Sequence, residues 1–173
     1  MNGKVGGIWI SAVLYMALGI LVISMILAVG LPAVQKMKDR FTMTQTQDLM
    51  LILDENIRSV YQDVGAQRTM DIKVNRGAFE INSNEDKIIW SLTTSVARSE
   101  PDIEIEEGSL TILTESSNVK DVYEIIFTLD YSGLFDLSYS DSQSILSGSS
   151  RISILNKGVI NGGGLPEISI TKL

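Results

Sequence analysis

The side chains best able to do chemistry in this chain are carboxylates. Twenty-one Asp and Glu stand against fourteen Lys and Arg, and both histidine and cysteine are absent. Without histidine the chain lacks the commonest general base and the commonest transition-metal ligand. Without cysteine it has no disulfide framework, thiolate zinc site or thiol nucleophile. Serine–lysine and paired-carboxylate chemistry remain. Asp102, Glu104 and Glu106 alternate along the chain, flanked by Glu100 and Glu107, and would line one face of a strand. Such a face is a solvated surface, or at its sharpest a weak oxygen-ligand calcium site. Asp130, Ser132 and Asp136 gather around Gly133. They lack the loop glycine and distal glutamate of a helix-loop-helix calcium site and read as a hairpin turn. Ser147-Gly148-Ser149-Ser150 has the wrong neighbours for a nucleophile elbow. Gly162-Gly163-Gly164 precedes Leu165-Pro166 rather than a lysine and a helix, so it reads as turn flexibility and not as a phosphate cradle. No catalytic, cofactor-binding or metal site is expected, and a net charge of −7 does not suit nucleic acid.

The elements that would carry these groups divide sharply by composition. Between Lys4 and Lys36 there is no charged residue. The run Val5–Val34 would form roughly 45 Å of helix at 1.5 Å per residue, against ~30 Å for the hydrocarbon core of a bilayer. It is too long for the apolar segment of a secretory signal, and few small domains could bury it on all sides. Residues 1–40 are net basic and the remainder strongly acidic, a division that suits a stem beside a membrane and a polar head. Beyond the run, Val34, Met37, Phe41, Thr44 or Gln45, Leu49, Ile52, Leu53, Ile57, Val60 and Val64 recur at steps of three and four. They predict an amphipathic helix over residues 32–66, stopped near Gly65. Lys38, Asp39, Arg40, Thr46, Gln47, Asp54, Glu55, Arg58 and Asp63 fall on its opposite, polar face. Gly30 and Pro32 mark a kink or short unwound segment, or else a break between two helices.

From Thr69 onward the period changes to that of strands. Segments 69–75, 78–82, 87–93, 103–106, 109–114, 121–131, 134–139, 151–156 and 167–171 are rich in Ile, Val, Thr, Tyr and Phe. They are separated by turn signals such as Asn75-Arg76-Gly77, Glu107-Gly108, Ser132-Gly133 and Asn156-Lys157-Gly158. The pattern predicts an antiparallel sandwich or partly closed sheet over residues 67–173. Alternation at Ile152/Ile154 and Ile168/Ile170 predicts one buried and one wet face. The helix stripe is expected to pack on this sheet, giving an α+β fold. Ser138–Ser150 holds seven serines and reads as a solvated connection, with a variable or O-glycosylated loop as the functional alternative. No Asn-x-Ser/Thr acceptor occurs.

The order of short basic peptide, apolar helix, amphipathic continuation and acidic β head resembles the type IV pilin superfamily, most closely its archaeal pilins and archaellins. The resemblance lies in Lys4-Val5-Gly6-Gly7, in the helix from Ile8 through Leu31 to Val64, and in Ile152-Ser153-Ile154-Leu155-Asn156-Lys157-Gly158. It implies a leader, residues 1–6, cut between Gly6 and Gly7 by a prepilin-type peptidase, with Gly3 a poorer choice. It implies a single-pass membrane state before assembly, with residues 7–31 as transmembrane and later filament-core helix. Ile8, Trp9, Leu14, Leu18, Ile20, Leu21, Ile26, Leu27 and Leu31 would carry self-association into a homopolymeric surface filament, built by an assembly machinery and used in roles such as cell adhesion. Two departures stand out. The leader is short, and Ser11 occupies the fifth mature position where bacterial pilins carry glutamate, as archaeal members commonly do not. The rival expectations are a non-polymerising, single-pass membrane protein whose β head binds a partner or surface ligand, minor pilins included, and a tethered enzyme. The Lys36, Lys38 and Arg40 cluster would by itself favour an inward head. The serine-rich stretch, the missing cysteines and the β head favour an extracellular one.

Overall fold

The computed structural model describes residues 5–140, 145–160 and 164–173. A single helix, α1 (Val5–Tyr61), precedes eight strands: β1 (Gln67–Asn82), β2 (Lys87–Thr94), β3 (Glu104–Glu107), β4 (Leu110–Ser116), β5 (Tyr123–Asp130), β6 (Asp136–Tyr139), β7 (Ile145–Val159) and β8 (Pro166–Lys172). The layout is α+β. The chain forms two compact units, the first ending at Lys38 and the second spanning Asp39–Leu173.

In the first unit the helix continues through Gly30 and Pro32 without interruption. The expected unwound segment or break is therefore not found. Pro32 sits inside the helix, where its missing N–H removes one rung of the ladder, and the flanking turns keep their helical geometry. The hydroxyl of Ser24 donates to the Ile20 carbonyl at 2.7 Å, which satisfies a polar group that an apolar surrounding would otherwise strand.

In the second unit, Asp39–Tyr61 packs one stripe on the sheet. Met43, Met50, Leu53, Ile57 and Val60 join a single core with Ile72, Phe79, Trp90, Leu92, Ile112, Phe127, Tyr131, Leu146, Ile154 and Ile170 among others. The buried positions Asp39, Met43, Thr46, Met50, Leu53, Ile57 and Val60 alternate steps of four and three, the spacing of one helix face. The sequence stripe was thus half right. Leu53, Ile57 and Val60 face the core, while Phe41, Ile52 and Val64 are exposed. Asp39, Thr46 and Asp54, expected on the polar face, are buried; Arg76 of β1 and the strand-flanking residues Ser95, Ser109 and Tyr131 supply the two carboxylates with donors.

All eight strands belong to one hydrogen-bonded sheet in the order β3-β4-β5-β2-β1-β7-β8-β6. Its pairings are antiparallel except β6 with β8, which is parallel. The head is thus one continuous, mostly antiparallel sheet. Two expected turns are irregularities within long strands. Asn75-Arg76-Gly77 lies inside β1, at the register shift between Val74 and Phe79. Gly77 has φ 82°, and a Cβ there would stand 2.0 Å from the Ser91 carbonyl oxygen. Asn156-Lys157-Gly158 lies inside β7, where its pairing with β8 shifts register. Strand β7 also reaches back to Ile145, so Ile145–Ser150 is strand where a connection was expected. Residues 141–144 of that serine-rich stretch lie outside the described residues, as do Gly162 and Gly163. The single wet face holds for β2 and β5 but not for the strands on the other side of β1. Ser153 and Ser169 are buried along with their Ile neighbours.

Candidate functional surface

The feature that sets this chain apart is the surface of α1 in the first unit. Every large apolar side chain from Trp9 to Val34 is exposed. Of the positions singled out from the sequence, Trp9 (70%), Ile20 (66%) and Leu31 (65%) are typical, and Leu14, Leu18, Leu21, Ile26 and Leu27 are likewise exposed. The Ile8 side chain lies outside the described ones, and so do Gly3 and Lys4; Gly6 and Gly7 fall in the first turns of α1. The helix is long and apolar enough to cross a membrane. From Trp9 to Val34 it presents ~38 Å of apolar surface at 1.5 Å per residue, more than the ~30 Å of a hydrocarbon core. Soluble monomers rarely expose contiguous apolar surface of this extent.

The carboxylates do structural work in the second unit. Asp39 accepts hydrogen bonds from Arg76 Nη1 (2.6 Å), the Ser95 backbone N–H (2.9 Å) and the Ser95 hydroxyl (2.6 Å). Burial acts to raise its pKa. The Arg76 and Ser95 hydrogen bonds and the Arg76 charge outweigh that and hold it at about 2. Arg76 also donates to the Thr93 carbonyl, and its own carbonyl accepts from Trp90 Nε1 at 3.1 Å. The β1 irregularity, the end of β2 and α1 therefore meet at one buried charge.

Asp54 is the second such point. It accepts from the Tyr131 hydroxyl (3.0 Å), the Ser109 hydroxyl (2.5 Å) and Arg58 Nε (2.8 Å). Tyr131 stacks on Phe135 with ring centroids 4.7 Å apart. Burial, and then the Asp54 charge and hydrogen bond, push the Tyr131 phenol well above its usual range, so it stays a neutral donor. Gln47 adds a contact to Glu107, and Arg98 pairs with the other oxygen of that carboxylate at 2.7 Å.

Asn156 is the third. Its side-chain N–H groups donate to the Val60 and Tyr61 carbonyls, both at 3.1 Å. These are among the carbonyls a helix leaves without partners at its C-terminus. Its Oδ1 accepts from the Gly158 N–H at 2.8 Å. Its backbone donates to Ala66 and accepts from Gly65. Gly158, with φ 73°, leaves room for Val64, whose Cγ1 would lie 2.9 Å from a Cβ. This cap was not foreseen. The only hint was Asn156 two residues before Gly158, in a stretch that reads as a turn.

The acidic stretch is a surface. Asp102, Glu104 and Glu106 are exposed, on or beside the edge strand β3. Around Gly133, the Ser132 N–H and hydroxyl both bond Asp130 Oδ1 (2.9 and 2.6 Å). Burial acts to raise the Asp130 pKa, but these bonds and nearby Lys87 draw it down. The segment is a turn but not the expected hairpin, because the strands it joins, β5 and β6, do not pair and β6 lies at the far edge of the sheet beside β8. Among the described residues no group of three or more Asp and Glu is placed to hold a metal ion. The crevice between α1 and the sheet, lined in part by Thr46, Lys73 and Trp90, has a volume of about 10 Å³, too small for more than about one water.

No family model matches the chain, and no curated protein or solved structure matches it either.

Proposed function

We propose that this chain is a structural subunit of a type IV pilus-like surface filament of the archaeal kind, inserted in the membrane before assembly and polymerised through the apolar part of α1. The observation that carries this reading is the uninterrupted, exposed apolar surface from Trp9 to Val34. A bilayer covers about 30 Å of such a helix, and a bundle of copies covers all of it. In the bundle Trp9, Leu14, Leu18, Ile20, Leu21, Ile26, Leu27 and Leu31 pack on other copies, and the β heads, outside the cell, coat the core. The peptidase cut between Gly6 and Gly7 would free the mature N-terminus. The work of the chain is then assembly and not catalysis.

The test is electron microscopy of sheared surface material probed for this chain, with wild type beside Ile20→Asp. The reading expects periodic filaments from wild type and none from Ile20→Asp, with the head of the variant still folded. An aspartate at the helix centre costs about 2.5–3.5 kcal/mol in lipid and leaves a charge buried in any helix bundle. Filaments formed normally by Ile20→Asp would refute the core assignment. A wild-type chain found only as a dispersed membrane protein would favour a single-pass anchor whose head binds a partner.

A further inference from the structure

Just past the apolar run of α1, cations and apolar side chains alternate. Lys36, Lys38 and Arg40 are exposed. Between and beyond them Met37 is 70% and Phe41 71% exposed. At about 100° per residue, Lys38 stands ~160° around the axis from both Lys36 and Arg40. The three charges therefore ring the helix within ~6 Å of its length and do not line one face. A protein laid against α1 would meet one side of such a ring, whereas a layer of lipid headgroups meets all of it. With Trp9 at one surface of a bilayer, Lys36 and Lys38 stand ~40–44 Å along α1 from it, against ~40–45 Å for a bilayer with its headgroups. At that level lysine and arginine stems lie along apolar surface and lift their charges to the phosphates.

The fold makes this ring more cationic than its sequence. Asp39 sits within it and is the one acidic residue among the first 47. Its side chain is 3% exposed and holds Arg76 and Ser95, so it offers no carboxylate to the surface beside the lysines. The next acid along α1, Asp48, is exposed but lies ~12 Å beyond Arg40, farther than the ~8 Å Debye length at physiological salt. Among the described residues neither Lys36 nor Arg40 enters an ion pair.

We infer that Lys36, Lys38 and Arg40 bind the phosphates of anionic lipid headgroups, all around α1, in the leaflet from which the helix leads into Asp39–Leu173. The inference rests on the membrane reading proposed above and adds to it the class of lipid. It holds for either orientation of the chain, since it requires only anionic lipid in that leaflet. A cation near an anionic membrane surface contributes roughly a fivefold gain in association.

The test uses the full chain reconstituted in phosphatidylcholine vesicles, with spin-labelled phosphatidylglycerol or phosphatidylcholine as the reporter. Electron spin resonance separates lipid held against the protein from free lipid and gives the relative association of the two headgroups. Wild type should prefer phosphatidylglycerol by roughly fivefold. The preference should fade at about 1 M salt, where the Debye length is ~3 Å. Combining Lys36→Gln, Lys38→Gln and Arg40→Gln should bring the two lipids to equal association. All three positions are exposed, and an unchanged thermal melt checks that the triple variant is folded. Inorganic phosphate, compared with chloride at equal ionic strength, should displace no extra phosphatidylglycerol. Selective displacement by inorganic phosphate would overturn the lipid assignment in favour of a free phosphate ligand. A preference kept in full by the triple variant would overturn the role of these residues. No preference in wild type would overturn the inference and leave the membrane reading standing; loss of filaments in the triple variant would then assign the ring to a protein contact. A chain that holds neither lipid would overturn the membrane reading as well.

Discussion

Replacing Asn156 with alanine removes three hydrogen bonds at a residue that is 1% exposed, and their loss is not equally repaired. The Tyr61 carbonyl belongs to a partly exposed residue, so water can replace its partner, and the loss is the ordinary net value of about 1 kcal/mol. Val60 is fully buried, so its carbonyl is stranded. The Gly158 N–H, held within a buried bond at 2.8 Å, is stranded too. A stranded backbone group costs about 1–3 kcal/mol. The total is about 3–7 kcal/mol, which for a domain of this size lowers the melting temperature by roughly 10–25 °C. The assay is thermal melting of the full chain in detergent, followed by near-ultraviolet circular dichroism of the head's tryptophan and tyrosines. Asn156→Asp supplies a second reading. It keeps the acceptor for Gly158 but turns a carboxylate toward two carbonyls at the negative end of α1. It should therefore be less stable than Asn156→Ala at neutral pH and recover part of the difference as acid protonates it. If Asn156→Ala melted within about 2 °C of wild type, the helix cap would not be the clamp described above.

Three further outcomes are expected. Asp39 titrates at about 2 when folded and near the ordinary carboxylate value when unfolded. Its contribution is therefore present above pH ~4 and lost as pH falls through 2. Asp39→Asn should remove that part of the acid sensitivity and destabilise the chain at neutral pH, as measured by urea denaturation at a series of pH values. An unchanged acid limb would exclude Asp39 as its source. Gly77→Ala should destabilise by more than about 2 kcal/mol, because it combines a positive φ with a backbone clash; equal denaturation midpoints would contradict the close approach to Ser91. Ile20→Asp should leave the melting of the head unchanged while abolishing filaments in sheared preparations, and a destabilised head would point to a different role for that helix.

The apolar helix and the strand-rich remainder were legible because both follow from periodicity over long stretches. An uncharged run from Val5 to Val34 admits few readings, and period-two alternation at Ile152/Ile154 and Ile168/Ile170 marks strands wherever they lie. What escaped was set by tertiary partners. The turn residues Asn75, Arg76 and Gly77 form a bulge because β7 carries the strand past them on its other side. Asp39 and Asp54 read as surface because their donors, Arg76, Ser95, Ser109 and Tyr131, come from distant segments. The helix stripe merged two faces, one ending at Ile52 and turned outward, the other running through Leu53, Ile57 and Val60 and turned inward. Adjacent residues on a helix differ by only about 100°, so the changeover between Ile52 and Leu53 left no gap in the pattern.

The place of β7 also dictates when the head can close during synthesis. Strand β1 finds its full-length partner only in β7, and the Gln67 side chain meets Ser153 across 86 residues. Asn156, which seals the end of α1, lies later still. Such non-local pairing is slow and leaves strand edges open meanwhile. The apolar part of α1 emerges first and can enter lipid long before β7 exists. On the membrane reading proposed above, the head closes on a chain whose apolar segment has already left water, which keeps the two most association-prone surfaces of the molecule from being exposed together.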